Sequence, residues 1–320
     1  MSRYLIRRLL ISVPVLLGIS IVLFSILALA PGDPFGELAQ NPNIPPEVIH
    51  NLRKQFGMDD PVAVRYVRWF VAMVQGNWGY SFVSRMPAQE LIMQRLPVTL
   101  FVLGSAYLVA LLVAMPVGIL SAVKPYSVFD QIATTFAFIG YSLPTFFTGL
   151  LFILLFSIYL DWLPFIYSST IEATGIAWAL EHLRQGAMPI AVLGLFQAAF
   201  LTRFVRASML EVINQDFVTT ARAKGLRERL VVLKHALRNA LIPVVTVIAY
   251  QIPGIFTGAL ITEQIFRVPG IGSLLITSIE SSDTPVAMAI TFVYSTLVII
   301  FNLVADIVYG FLDPRISYSQ

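Results

Sequence analysis

Six apolar stretches, each long enough to cross a bilayer, constrain this chain more than any other feature. They lie at 9–30, 98–123, 132–160, 188–205, 240–262 and 285–310. A helix spans the hydrocarbon core with roughly 17–25 apolar residues. In lipid each such segment must satisfy its own backbone donors and acceptors, which for isolated runs of this length means a helix. Composition removes the alternative of a soluble core. Apolar residues make up 57% of the chain and charged residues 12%, against roughly 45–50% and 25% in soluble domains. The expected fold is an all-α integral membrane protein with six transmembrane helices.

The basic residues orient the spans. Arg3, Arg7 and Arg8 precede the first run, whose length exceeds the roughly 7–15 residues of a signal-peptide core, so it reads as an uncleaved first helix. With the N-terminus inside, the inner segments hold Lys124, then Arg206, Arg222, Lys224, Arg227, Arg229, Lys234 and Arg238, then Arg315. The two short outer loops hold Arg184 and Arg267. Positive charge concentrates on the cytoplasmic side of short loops, so both termini are expected in the cytoplasm. The chain divides into a first helix (1–30), an external helical region (31–97), a five-helix core (98–310) containing an inner loop (206–240), and a cytoplasmic tail (311–320).

In the external region, Pro46 reads as the start of a helix ending at Gly57, and Pro61 as the start of another ending near Gly76. Val62, Tyr66, Trp69 and Met73 recur at helical spacing in the second, as one apolar stripe. A turn follows at Gly76-Asn77-Trp78-Gly79, and Pro87 reads as the start of a third short helix. Trp69 and Trp78 suit packing against the spans or anchoring at the lipid interface; a contact surface for an external partner is the other reading.

Several chemistries have no support. The chain has no cysteine, and His50, His182 and His235 show no metal-ligand spacing. A phosphate-binding loop of the G-x-x-x-x-G-K-[ST] type is missing. The net charge of +3 is too small to argue for nucleic acid. No catalytic residue, bound metal or cofactor of its own is expected.

The inner loop is the most informative segment. Asp216 is placed as an N-cap, with a short helix from Phe217 to Lys224 and Gly225 as the left-handed residue that ends it. A second helix is expected from Arg227 toward Asn239, with Leu230, Leu233 and Leu237 on one face. Small Ala221 and Ala223 would let another protein surface approach closely, and the basic side chains would meet an acidic partner. A positive-inside signal lying on anionic lipid explains the same charges. The residues alone leave both readings open.

A resemblance separates them. The loop resembles the coupling loop of importer-type ATP-binding-cassette permeases, known by a Glu-Ala-Ala, three residues, Gly pattern. Gly225 holds the glycine and Ala221 the second alanine, while Thr219 and Thr220 replace Glu and the first Ala. His235, Leu237 and Arg238 depart from the later Ile-x-Leu-Pro part. These departures are similar to the peptide-permease branch, as are Pro31-Gly32-Asp33-Pro34, the segment Arg95 to Leu100, Gly140-Tyr141-Ser142-Leu143-Pro144, Glu263-x-x-Phe266-x-x-Pro269-Gly270-x-Gly272, and Asp313-Pro314-Arg315. The resemblance covers nearly the whole chain. It implies half of a translocation pathway in the bacterial inner membrane, working with a second permease, two ATPase subunits that bind ATP and magnesium, and an external solute-binding protein. Residues Thr219, Thr220, Ala221, Arg222, Ala223, Lys224, Gly225 and Leu226 would then couple to the ATPase. Peptides lead as substrate; glutathione or nickel chelates would use a similar chain.

Polar groups within the spans are the pathway candidates: Tyr141, Ser142 and Thr145 around Pro144, where a helix loses a backbone bond, and Gln251 beside Pro253. Mutual satisfaction between packed helices is the competing reading. Asn302 and Asp306, four apart on one face, read as a structural lock to Arg203 or Arg206. Glu263 and Arg267 read as an outer gate or docking site, or as a surface ion pair. Two other classes compete. A secondary, ion-coupled transporter would show repeats and buried ionisable pairs, and a membrane serine enzyme would need a histidine facing Ser142. No such signal is visible.

Overall fold

The computed structural model describes residues 2–29, 45–47, 50, 54, 59–168 and 175–312. The 31–34 motif, most of the expected 46–57 helix and the 313–315 ending lie outside the described residues. Within them the chain is helical, with a single isolated β-bridge between Tyr80 and Pro87 and no strand. Five helices are long and apolar enough to cross a membrane, and a bent helix pair makes a sixth span when counted as one.

Helix α1 is Ser2–Leu29 and α2 is Val62–Val74. Helix α3 runs unbroken from Ala88 to Val123, 36 residues. This corrects the expectation of a short helix begun by Pro87 and a separate span from 98. Pro97 and Pro116 each remove one backbone donor, yet the helix continues through both. At ~1.5 Å per residue α3 reaches ~54 Å, well beyond the ~30 Å hydrocarbon core.

The third apolar stretch is not one straight helix. Ser127 caps α4 (Val128–Ser142), its side chain accepting from the Asp130 amide. Pro144 then forces the preceding residue out of the helical region, and Leu143 is extended at φ −83°, ψ 129°. Helix α5 restarts at Thr145–Phe152 and widens into a π-helical continuation, Ile153–Tyr159. The two halves are bent by 102°, at the proline where a helix loses a backbone bond.

Helix α6 covers Ile176–Ile213, far longer than the expected 188–205. Helix α7 is Asp216–Ala223. Glu228–Leu230, a π-helical segment Val231–Ala236 and Leu237–Ile265 follow one another without a break and together form α8. Helix α9, Ile271–Glu280, is a short apolar element that the hydropathy pattern did not separate from its surroundings. Helix α10 is Thr284–Leu312.

The chain forms two compact units. One comprises Ser2–Pro97 and Gly270–Ile300. Its core is aromatic: Trp69 lies 5.6 Å from Phe24 and 5.7 Å from Phe292, ring centre to ring centre. The Ser20 and Tyr66 hydroxyls are 2.9 Å apart. Tyr66, Trp69 and Met73 thus form the stripe read from spacing, while Val62 at its start is exposed. Asp283, nearly fully buried, accepts hydrogen bonds from the Ser81 hydroxyl and the Phe82 amide. The other unit comprises Val98–Pro269 and the chain from Phe301 onward. Its α3 and α6 approach so closely that a Cβ on Gly118 would lie 2.8 Å from Val205 and 2.9 Å from the Thr202 carbonyl.

Candidate functional site

Two regions of the second unit carry the candidate residues: the inner loop and a cavity among the spans.

Helix α7 follows Gln215, an extended residue at its N-terminal boundary, so Gln215 rather than Asp216 is the cap, and no side chain closes it. Asp216 is the first helical residue, where its charge faces the positive end of the helix dipole. The chain leaves α7 through Gly225 at φ +74°, with its amide donating to the Arg222 carbonyl at 2.9 Å. That left-handed geometry suits glycine, as the sequence reading placed it. Open space surrounds a Cβ built at this position, so the backbone angle alone sets the requirement. Across the turn, the Arg222 guanidinium pairs with Glu228 at 2.8 Å. The carboxylate raises the Arg222 pKa still further and keeps the side chain charged.

One face of α7 is buried and one is exposed. Val218 and Ala221 are buried in a cluster with Met209 and Val212 of α6 and Val231, Val232, Ala236 and Ala240 of α8. Ala221 therefore packs inward on its own chain, which corrects the expectation that it faces another protein surface. Thr219, Thr220, Arg222, Ala223, Lys224, Gly225 and Leu226 are exposed. The second inner helix is likewise revised, because it is the base of α8 rather than a separate element. Leu230 and Leu233 are exposed, Leu237 is partly buried against the cluster, and Val231, Val232 and Ala236 are buried. The π-helical turns carry more residues per turn than the α-helical wheel assumes, and so rotate a different set inward. The Ser208 hydroxyl donates to the Ala240 carbonyl at 2.8 Å, tying α6 to that base.

The bend at Pro144 opens a cavity of about 680 Å³. Tyr141, Ser142, Thr145 and Gln251, the four pathway candidates, all line it. Tyr107 and Gln197 line it as well, and the sequence reading passed over both. Gln197 carried the same signal as Gln251, a polar side chain within an apolar run. Tyr107 is aromatic and blends into its helix; its hydroxyl donates to the Ile248 carbonyl at 3.2 Å. Tyr141 stacks on Phe196 at 5.4 Å between ring centres.

The outer pair separates. Glu263 is 1% exposed and accepts a hydrogen bond from the Thr99 hydroxyl at 2.8 Å, so its carboxylate is interior and is not a docking surface. Arg267 is exposed, at φ +50° in the turn after α8. The expected lock is also redistributed. Arg206 pairs with Asp130, and Arg203 lies over the Phe138 ring. Asp306 is buried. Among the described residues no group of histidines and carboxylates could hold a metal ion.

Comparison with known proteins bears on the whole chain. The family model described as binding-protein-dependent transport system inner membrane component matches residues 114–318, and its N-terminal companion matches residues 1–103. The oligopeptide transport system permease protein AppB of Bacillus subtilis is 43% identical over 99% of this chain and 100% of its own length. The dipeptide transport system permease protein DppB of Escherichia coli is 35% identical, and the glutathione transport system permease protein GsiC of Salmonella paratyphi A is 37% identical, each over the full length of both chains.

Proposed function

This chain belongs to the family of binding-protein-dependent transport system inner membrane components, the permease subunits of ATP-binding-cassette importers, and from that premise we propose that it lines half of a route for short peptides across the bacterial cytoplasmic membrane. Its partners are a second permease of the same family, two ATPase subunits below, and a solute-binding protein outside. ATP and magnesium belong to the ATPase subunits, and both termini of this chain lie in the cytoplasm. The observation that most supports the reading is the end-to-end similarity to oligopeptide, dipeptide and glutathione permeases.

In this reading Thr219, Thr220, Arg222 and Ala223 on the exposed face of α7, with Lys224, Gly225 and Leu226 of the turn after it, sit in a groove of one ATPase subunit. ATP draws the two ATPases together and displaces α7. The inner face of α7 is packed with Met209 and Val212 of α6 and with Val231 and Val232 of α8. A close-packed cluster transmits displacement instead of absorbing it, so both spans move with the helix. The cavity around Tyr141, Ser142, Thr145 and Gln251 opens and closes in response. This chain makes and breaks no bond of its own.

The test is copurification combined with uptake. Tagged protein should bring along a second permease and ATPase subunits, and deletion of the chain should abolish ATP-dependent uptake of small peptides. A chain that transports peptides alone, without ATPase subunits, would be a secondary transporter.

A further inference from the structure

Two arginines of α6, three residues apart, are treated in opposite ways. Arg206 is neutralised: its Nε and Nη2 donate to the two oxygens of Asp130 at 2.6 and 2.7 Å. Asp130 also accepts from the Tyr126 amide at 2.8 Å and the Thr134 hydroxyl at 3.2 Å. These contacts occupy about four acceptor positions, the capacity of one carboxylate. Asp130 has nothing left for Arg203.

Arg203 is held by rings instead. Its guanidinium carbon lies 4.5 Å from the centre of the Phe138 ring and 5.7 Å from that of Tyr141. Among the described residues no carboxylate forms an ion pair with it. A guanidinium resting on aromatic faces is anchored while its in-plane N–H donors stay available to a planar anion. The side chain is exposed and lines a second cavity of about 460 Å³, walled also by Thr134, Phe138, Phe200 and Phe204. Tyr141 belongs to the walls of both this cavity and the larger one. A charge in a spanning helix is expensive, faces a water-filled path or a partner, and marks ion or substrate routes.

We propose that Arg203 makes the smaller cavity a carboxylate-binding site, which receives the free carboxylate end of a solute passing Tyr141 from the larger cavity. The inference rests on the peptide-importer reading. A short peptide supplies what the site lacks: a planar carboxylate for the guanidinium fork and apolar side chains for the phenylalanine walls. A lipid phosphate is the competing anion; the wall shared with the larger cavity favours the solute.

The experiment measures equilibrium binding of trialanine and of its C-terminal amide to the complete permease–ATPase complex in nanodiscs, without the external binding protein, whose own preference would intrude. Wild type should prefer the free acid by about tenfold, the scale of one charged hydrogen-bonded contact. Arg203→Gln should erase the preference with no change in the melting temperature of the complex, and Arg203→Lys should restore part of it. Wild type without preference, or R203Q that keeps it, overturns the proposal. So does Arg203-dependent retention of phosphatidylglycerol by the complex that excess trialanine does not displace, which would assign the cavity to lipid. ATP-driven uptake of trialanine by the wild-type complex in vesicles tests the importer reading separately. Uptake without an Arg203 effect refutes only the carboxylate site, and absent uptake refutes the peptide reading beneath it.

Discussion

Asp130, in the first turn of α4, grips Arg206 of α6 through two parallel hydrogen bonds of 2.6 and 2.7 Å, with the carboxylate side chain only 3% exposed. Removing one member of such a pair strands the other charge, at about 3–5 kcal/mol when both are buried. Arg206 is 24% exposed, so the lower end applies. Asp130→Asn should destabilise the protein by about 3 kcal/mol. In a double-mutant cycle read by thermal unfolding, D130N combined with Arg206→Gln should cost clearly less than the two single changes added together. Additive losses would mean the pair is not coupled.

Gly225 should tolerate a side chain of the right kind. A Cβ there meets nothing within 4 Å, and only the φ of +74° discriminates. Asparagine enters the left-handed region readily, whereas a β-branched residue resists it. Gly225→Asn should retain most uptake. Gly225→Val should insert in the membrane at normal levels yet lose transport at least tenfold, as judged by peptide uptake beside immunoblots of membrane fractions.

The crossing of α3 and α6 at Gly118 is limited by space. A Cβ there would lie 2.8 Å from Val205 Cβ and 2.9 Å from the backbone oxygen of Thr202. Gly118→Ala should lower the yield of folded protein. Val205→Ala in the same chain should recover only part of it, because the carbonyl cannot retreat without moving the helix. Size-exclusion profiles of the wild type and the two variants measure this.

The absence of cysteine makes the turn after α8, which the proposed orientation places outside, directly testable. Glu263→Cys should be unreactive toward a membrane-impermeant maleimide in intact cells, and Arg267→Cys should be labelled from outside. Labelling at 263 would contradict its burial, and protection of 267 from outside would contradict the orientation.

Much of this arrangement was legible in the residues. The apolar runs gave the spans, Pro144 gave the bend, Gly225 gave the turn, and polar groups inside apolar stretches gave four walls of the cavity. What was hidden depends on information that local pattern lacks. Asp130 and Arg206 stand 76 residues apart, and only the packing of α4 on α6 makes them partners. The leucine face of the inner helix was misread because residues 231–236 adopt the wider π turn, which no 3.6-residue periodicity anticipates. Ala221 is small and holds the second alanine of the coupling-loop pattern, both of which point outward, although small residues serve close packing within a chain as well as between chains. Glu263 reads as a surface group because it falls at the end of an apolar run; the Thr99 hydroxyl that helps satisfy it lies 164 residues away.

The central claim is that the exposed face of α7 is seated in an ATPase subunit. A single cysteine placed at Ala223, exposed on that face, and carrying a short photo-activated cross-linker decides it. In membranes competent for peptide uptake the account predicts a covalent product containing the ATPase, with a yield that changes when ATP is trapped. Transport-competent membranes in which Ala223→Cys never captures an ATPase would contradict it.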